Sequence, residues 1–73
     1  SARLELLSSL LAGLTDVKRE VFILAELEEM SVPEIAAALD IPLNTAYSRL
    51  RHARQEFEAA LARRLANERR GRA

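Results

Sequence analysis

Cysteine is missing from these 73 residues. Neither disulfides nor thiolate zinc sites can brace the chain, and the fold must stand on packing. Histidine occurs once, at His52, and one imidazole cannot build a metal site by itself, so no metal and no cofactor is expected. No apolar run approaches the roughly 20 residues that a membrane span needs. The amino terminus lacks the basic-then-apolar pattern of a signal peptide, and a cytoplasmic chain with no membrane partner is the expectation. A chain of this length makes one domain with a modest core and leaves little room for an enzyme cleft or a small-molecule substrate. Glu26, Glu28 and Glu29 have no neighbouring His, Cys or pocket signature and are expected to face water rather than to serve acid–base chemistry.

What the chain does contain is helical periodicity. Leu4, Leu7, Leu11 and Leu14 fall on one helical face, widened by Leu6 and Leu10, which predicts a helix over residues 2–13 ending near Gly13. Thr15 or Asp16 can cap a second helix, with Val17, Val21 and Leu24 as its stripe. Phe22, Leu27 and Met30 broaden that stripe, and the helix should end near Glu29. A third helix starts at Ser31, whose hydroxyl can accept from the Glu34 N–H while the Glu34 carboxylate reaches back, with Pro33 pre-set for the first turn. Ile35, Ala36 and Leu39 supply its inward stripe, and the small Ala36 lets a second helix cross closely. Asp40, Ile41 and Pro42 break it; Asp40 stands where glycine is favoured and adopts positive φ at some cost.

Asn44 or Thr45 can cap the fourth helix, whose apolar residues Ala46, Leu50, Ala53 and Phe57 recur at helical offsets. Strong helix formers then run on through EFEAALARRLA with no breaker before Gly71, and the tail Asn67 to Ala73 is expected to fray. There is no internal repeat and no separating linker. The expected architecture is one all-α domain over residues 1–73, a compact bundle of about four helices with its core in residues 13–60.

The third and fourth helices, joined by a tight turn, read as a helix-turn-helix. A major groove about 12 Å wide admits one helix, and side chains near its amino-terminal end reach the base edges. Thr45, Tyr47, Ser48 and Arg51 occupy that end, and His52 and Arg54 also lie off the apolar stripe. Arg51 could bind guanine bidentately, which is worth about 1 to 3 kcal/mol of discrimination, whereas Arg49 and Arg54 suit phosphate contacts. The plainer alternative is that these arginines solvate an exposed face.

Net charge is zero, which by itself argues against a grip on phosphate, but its distribution is lopsided. Residues 1–48 hold three basic and eight acidic side chains, and residues 49–73 hold eight basic and three acidic. A basic end can approach DNA while the acidic end meets another partner or keeps the domain soluble. The cluster Arg63, Arg64, Arg69, Arg70 and Arg72 either tracks DNA backbone or complements the negative pole of its helix.

The segment GLTDVKREVFILAELEEMSVPEIAAALDIPLNTAYSRLRHARQEF, residues 13–57, resembles region 4 of sigma-70-type transcription initiation factors, especially the extracytoplasmic-function group. Three pieces carry the likeness: LTDVKREVFIL; the glutamate and serine that precede Glu34, Ile35 and Ala36; and Ser48-Arg49-Leu50 followed by Ala53-Arg54. The first two also occur in the DNA-binding output domains of LuxR-type response regulators; the third favours sigma. The resemblance implies recognition of the promoter minus-35 element in double-stranded DNA and docking on the RNA polymerase β flap, with no catalysis. It puts Thr45, Tyr47, Ser48, Arg51 and His52 at base or nearby backbone contacts, and Arg49 and Arg54 near phosphates. Tyr47 departs from the lysine or arginine more usual there; it can pack on a thymine methyl or donate from its hydroxyl.

A working sigma factor also needs region 2, which melts and reads the minus-10 element, and nothing here supplies it. An excised domain or a stand-alone relative is therefore expected. A competing reading is a protein-interaction module: six leucines between residues 4 and 14 exceed what a short helix must bury. The surplus would meet polymerase, an anti-sigma factor or a second copy.

Overall fold

In a computed structural model that describes residues 1–71, helix α1 spans Ala2–Ala12, capped by the Ser1 hydroxyl, which accepts from the Leu4 N–H at 3.3 Å. It stops at Gly13 as expected, but with right-handed backbone, φ −76° and ψ −13°. The turn is held instead by a side chain from the next helix. Arg19 donates from Nε to the Leu11 carbonyl at 2.8 Å and from Nη2 to the Leu14 carbonyl at 2.7 Å, and its Nη1 meets Asp16 Oδ1 at 3.1 Å. The Leu11 carbonyl at the helix end also accepts from the Leu14 N–H, and the guanidinium fork adds a bond to it and one to the Leu14 carbonyl in the turn.

Helix α2 spans Asp16–Phe22, and Thr15 precedes it without a side-chain cap bond. The expected run to Glu29 does not stay α-helical. A π-helical turn over Ile23–Leu27 follows directly, and Glu29 then turns the chain at φ 56°. The wider turn shifts the register of everything after Phe22. Leu27, expected in the stripe, is 52% exposed, and Val17 is also largely exposed.

Helix α3 spans Val32–Leu39, with both halves of the capping box made: Ser31 N–H to Glu34 Oε1 at 2.9 Å, and Glu34 N–H to Ser31 Oγ at 3.3 Å. The bond from the Ser31 backbone, assisted by the Ser31 hydroxyl, holds the Glu34 carboxyl below its ordinary pKa. Asp40 takes φ 54° and ψ 51°. The Ile41 N–H donates to the Ala36 carbonyl and the Asp40 N–H to that of Ala37, the Schellman arrangement that ends a helix at a left-handed residue.

Helix α4 spans Leu43–Gly71 and is the spine of the domain. It begins before either expected cap: the Pro42 carbonyl already accepts from the Ala46 N–H, and Asn44 Oδ1 accepts from the adjacent Thr45 N–H. The helix continues through Asn67 to Gly71, past the point where fraying was expected to begin; residues 72–73, including Arg72, lie outside the described residues. Among the described residues there are four helices and no strand.

The core gathers Leu14, Val21, Phe22, Ile35, Leu50 and Ala53, with Leu11, Leu24, Met30 and Phe57 packed around it. The Phe22 and Phe57 rings stack with centroids 4.5 Å apart, an arrangement aromatic pairs favour beyond the area they bury. Two ion pairs tie the bundle to α4: Lys18 to Glu56, and Glu26 to Arg54. Not all the leucines of α1 are used. Leu10, and Leu14 just beyond the helix, are buried, but Leu4 is 66% exposed, and Leu4, Leu7, Leu11 and Arg19 line an open apolar groove.

Candidate nucleic-acid interface

Ala46, Leu50 and Ala53 are buried to 3% exposure or less, and this fixes the roll of α4. At about 100° per residue, the face opposite that stripe carries Ser48, Arg51, His52 and Gln55, with Thr45 at its edge. Arg51, His52 and Gln55 are exposed and Ser48 and Thr45 half-buried. Gln55 was missed by sequence reasoning, although the same periodicity that picks out Ser48 and His52 reaches it one turn later.

The remaining expected residues divide between the flanks. Tyr47, Arg51 and Arg54 line one groove with Val32 and Leu50, where α3 meets α4. Tyr47 is 51% exposed there, so its ring and hydroxyl are both available. Arg49 is half-buried on the opposite flank, the side where Lys18 pairs with Glu56. Thus Thr45, Ser48, Arg51 and His52 come together on the outward face with Tyr47 beside them, while Arg49 and Arg54 stand apart from each other. Arg54 is already engaged, its Nε donating to Glu26 Oε1. Glu26 is exposed, as expected, and in addition pairs with Arg54 from within the π-helical turn.

The chemistry of this face is that of recognition. It presents donors and acceptors on a rigid helix with an apolar back. Among the described residues, no group of three or more His, Cys, Asp or Glu side chains is placed to hold a metal ion, and no helix is long and apolar enough to cross a membrane. The family model for sigma-70 region 4 matches residues 4–57, about three quarters of the chain. The chain belongs to the sigma-70 region 4 family. The match starts nine residues before the resemblance read from the sequence, so α1 is part of the region 4 unit. It also decides between the sigma and LuxR-type alternatives in favour of sigma. Comparison with curated proteins and with solved structures finds no match. As a sigma-70 region 4 domain, the chain is a DNA-binding domain of a sigma factor, from a non-enzymatic family whose partners are promoter DNA and RNA polymerase.

Proposed function

We propose that this region 4 domain, of the extracytoplasmic-function type, reads the promoter minus-35 element with the first half of α4 in the major groove and works in the cytoplasm. The observation that carries the reading is the two-sided character of α4: a back of Ala46, Leu50 and Ala53 sealed into the core, and a front of Ser48, Arg51, His52 and Gln55 with Thr45 at its edge. Arg51 has the reach and fork for guanine. Thr45, Tyr47, Ser48 and His52 contact bases or the adjoining backbone, and Arg49 approaches phosphate.

A second surface serves protein. The open groove of Leu4, Leu7 and Leu11 suits an apolar segment, and we assign it to the β flap of RNA polymerase, or to an anti-sigma factor competing for the same face. The test is fluorescence anisotropy at two salt concentrations, comparing promoter duplexes from the source genome with shuffled duplexes of equal composition. A salt-sensitive preference for the promoters is expected. Equal weak binding to both would transfer the role to the protein-binding surface.

A further inference from the structure

Arg54 is not placed like its neighbour Arg51. It lies about 60° round the helix toward the buried stripe, where its Nε is bonded to a carboxylate oxygen of Glu26, 28 residues away in sequence. The π-helical turn Ile23–Leu27 brings Glu26 to that flank of α4. Arg54 also borders two grooves at once. One holds Tyr47, Arg51 and Gln55; the other is walled by Leu7, Phe22, Leu27, Phe57 and Leu61 and includes Glu26. The pair is open to solvent, its side chains 51% and 38% exposed, so direct contact rather than burial holds the two charges together. Seen from farther than a Debye length, the two charges cancel.

We infer that Glu26 withholds Arg54 from the DNA backbone and so acts as a brake on affinity built into the domain. The inference rests on the DNA-reading role proposed above. Each phosphate neutralised by a cation contributes about 0.9 to the slope of log affinity against log salt, whatever the base sequence. Holding one cation back weakens binding to every sequence alike and leaves the base contacts of the outward face untouched. Glu26 is thus a positioning residue: it acts on DNA only through Arg54.

The test uses a random-sequence duplex and anisotropy titrations between about 50 and 200 mM salt, the range over which phosphate contacts separate clearly. Glu26→Gln is expected to steepen the salt slope by about 0.9, an extra loss of affinity of about 3.5-fold across that range. Arg54→Gln should leave the wild-type slope unchanged, because Arg54 is already withheld. The double variant should return to the wild-type slope. Glu28→Gln, which removes the same charge two residues along, should not steepen it. An unchanged slope in Glu26→Gln, equal steepening in Glu28→Gln, or a shallower slope in Arg54→Gln overturns the inference. If the wild type binds and Glu26→Gln does not respond, the brake alone is refuted. If no variant binds even at the lowest salt, the DNA-reading role falls with it.

Discussion

Replacing Arg19 by methionine keeps the apolar stem and removes the guanidinium that closes α1 onto α2. Two of its bonds, to the carbonyls of Leu11 and Leu14, are short and part-buried. Bonds to a charged donor contribute about 1.5 to 3 kcal/mol each when fully formed. The Arg19 side chain is 34% exposed and water can partly replace it, so about 2 to 3 kcal/mol for the whole fork is the expected cost. A domain of this size has about 4 to 11 kcal/mol of stability in total. At about 4 to 8 °C per kcal/mol, the melting temperature should fall by about 10 to 20 °C. Thermal unfolding followed by circular dichroism at 222 nm gives the answer directly. A fall of only a few degrees would refute the reasoning, because it would mean that the Leu11 and Leu14 carbonyls lose nothing when they exchange the guanidinium for solvent.

Leu50→Ala opens a cavity where α3 and α4 cross and should cost about 2 to 5 kcal/mol in chemical denaturation; an unchanged midpoint would mean that the roll of α4 is wrong. Gly13→Ala should stabilise the domain by about 0.4 to 1 kcal/mol, since φ −76° suits alanine and its Cβ would sit 3.4 Å from the Leu10 carbonyl oxygen; a lower melting temperature would contradict this. Glu34 has a depressed folded-state pKa, so its stabilisation is present above the unfolded value of about 4.3 and is lost as the pH falls through the folded value. The difference in melting temperature between the wild type and Glu34→Gln should accordingly be constant near neutral pH and shrink in acid, and a pH-independent difference would count against the capping-box bond. Arg51→Ala should lower the ratio of specific to non-specific DNA affinity about 5- to 150-fold without unfolding the domain; an unchanged ratio would remove Arg51 from base reading.

Legibility from the sequence followed the range of the interactions involved. The Ser31–Glu34 capping box, the left-handed Asp40 and the buried stripe of α4 depend on residues a few positions apart, and periodicity and local hydrogen-bond chemistry reveal them. What escaped depends on contacts across the bundle. Leu27 looks like a core residue until the π-helical turn shifts its register, and Val17, which precedes that turn, until the packing shows which side of α2 faces inward. Arg19 reads as an ordinary surface cation because the carbonyls it serves lie in the preceding helix and the turn that follows it. The front of α4 was legible through the stripe behind it, whereas the pairing of Arg54 with Glu26 required the fold.

One more consequence follows from the unbroken length of α4. Twenty-nine residues make a stiff rod about 43 Å long, held to the bundle by Ala46, Leu50 and Ala53 and by Phe57 stacked on Phe22. Ser48 stands about 13 Å to one side of Phe57 and Arg70 about 20 Å to the other. Because the near arm is sealed into the core, a force on the arginine-rich arm turns α4 and the bundle together. Anything that grips the far turns would thus reorient the whole domain, and the outward face of Ser48, Arg51 and His52 with it.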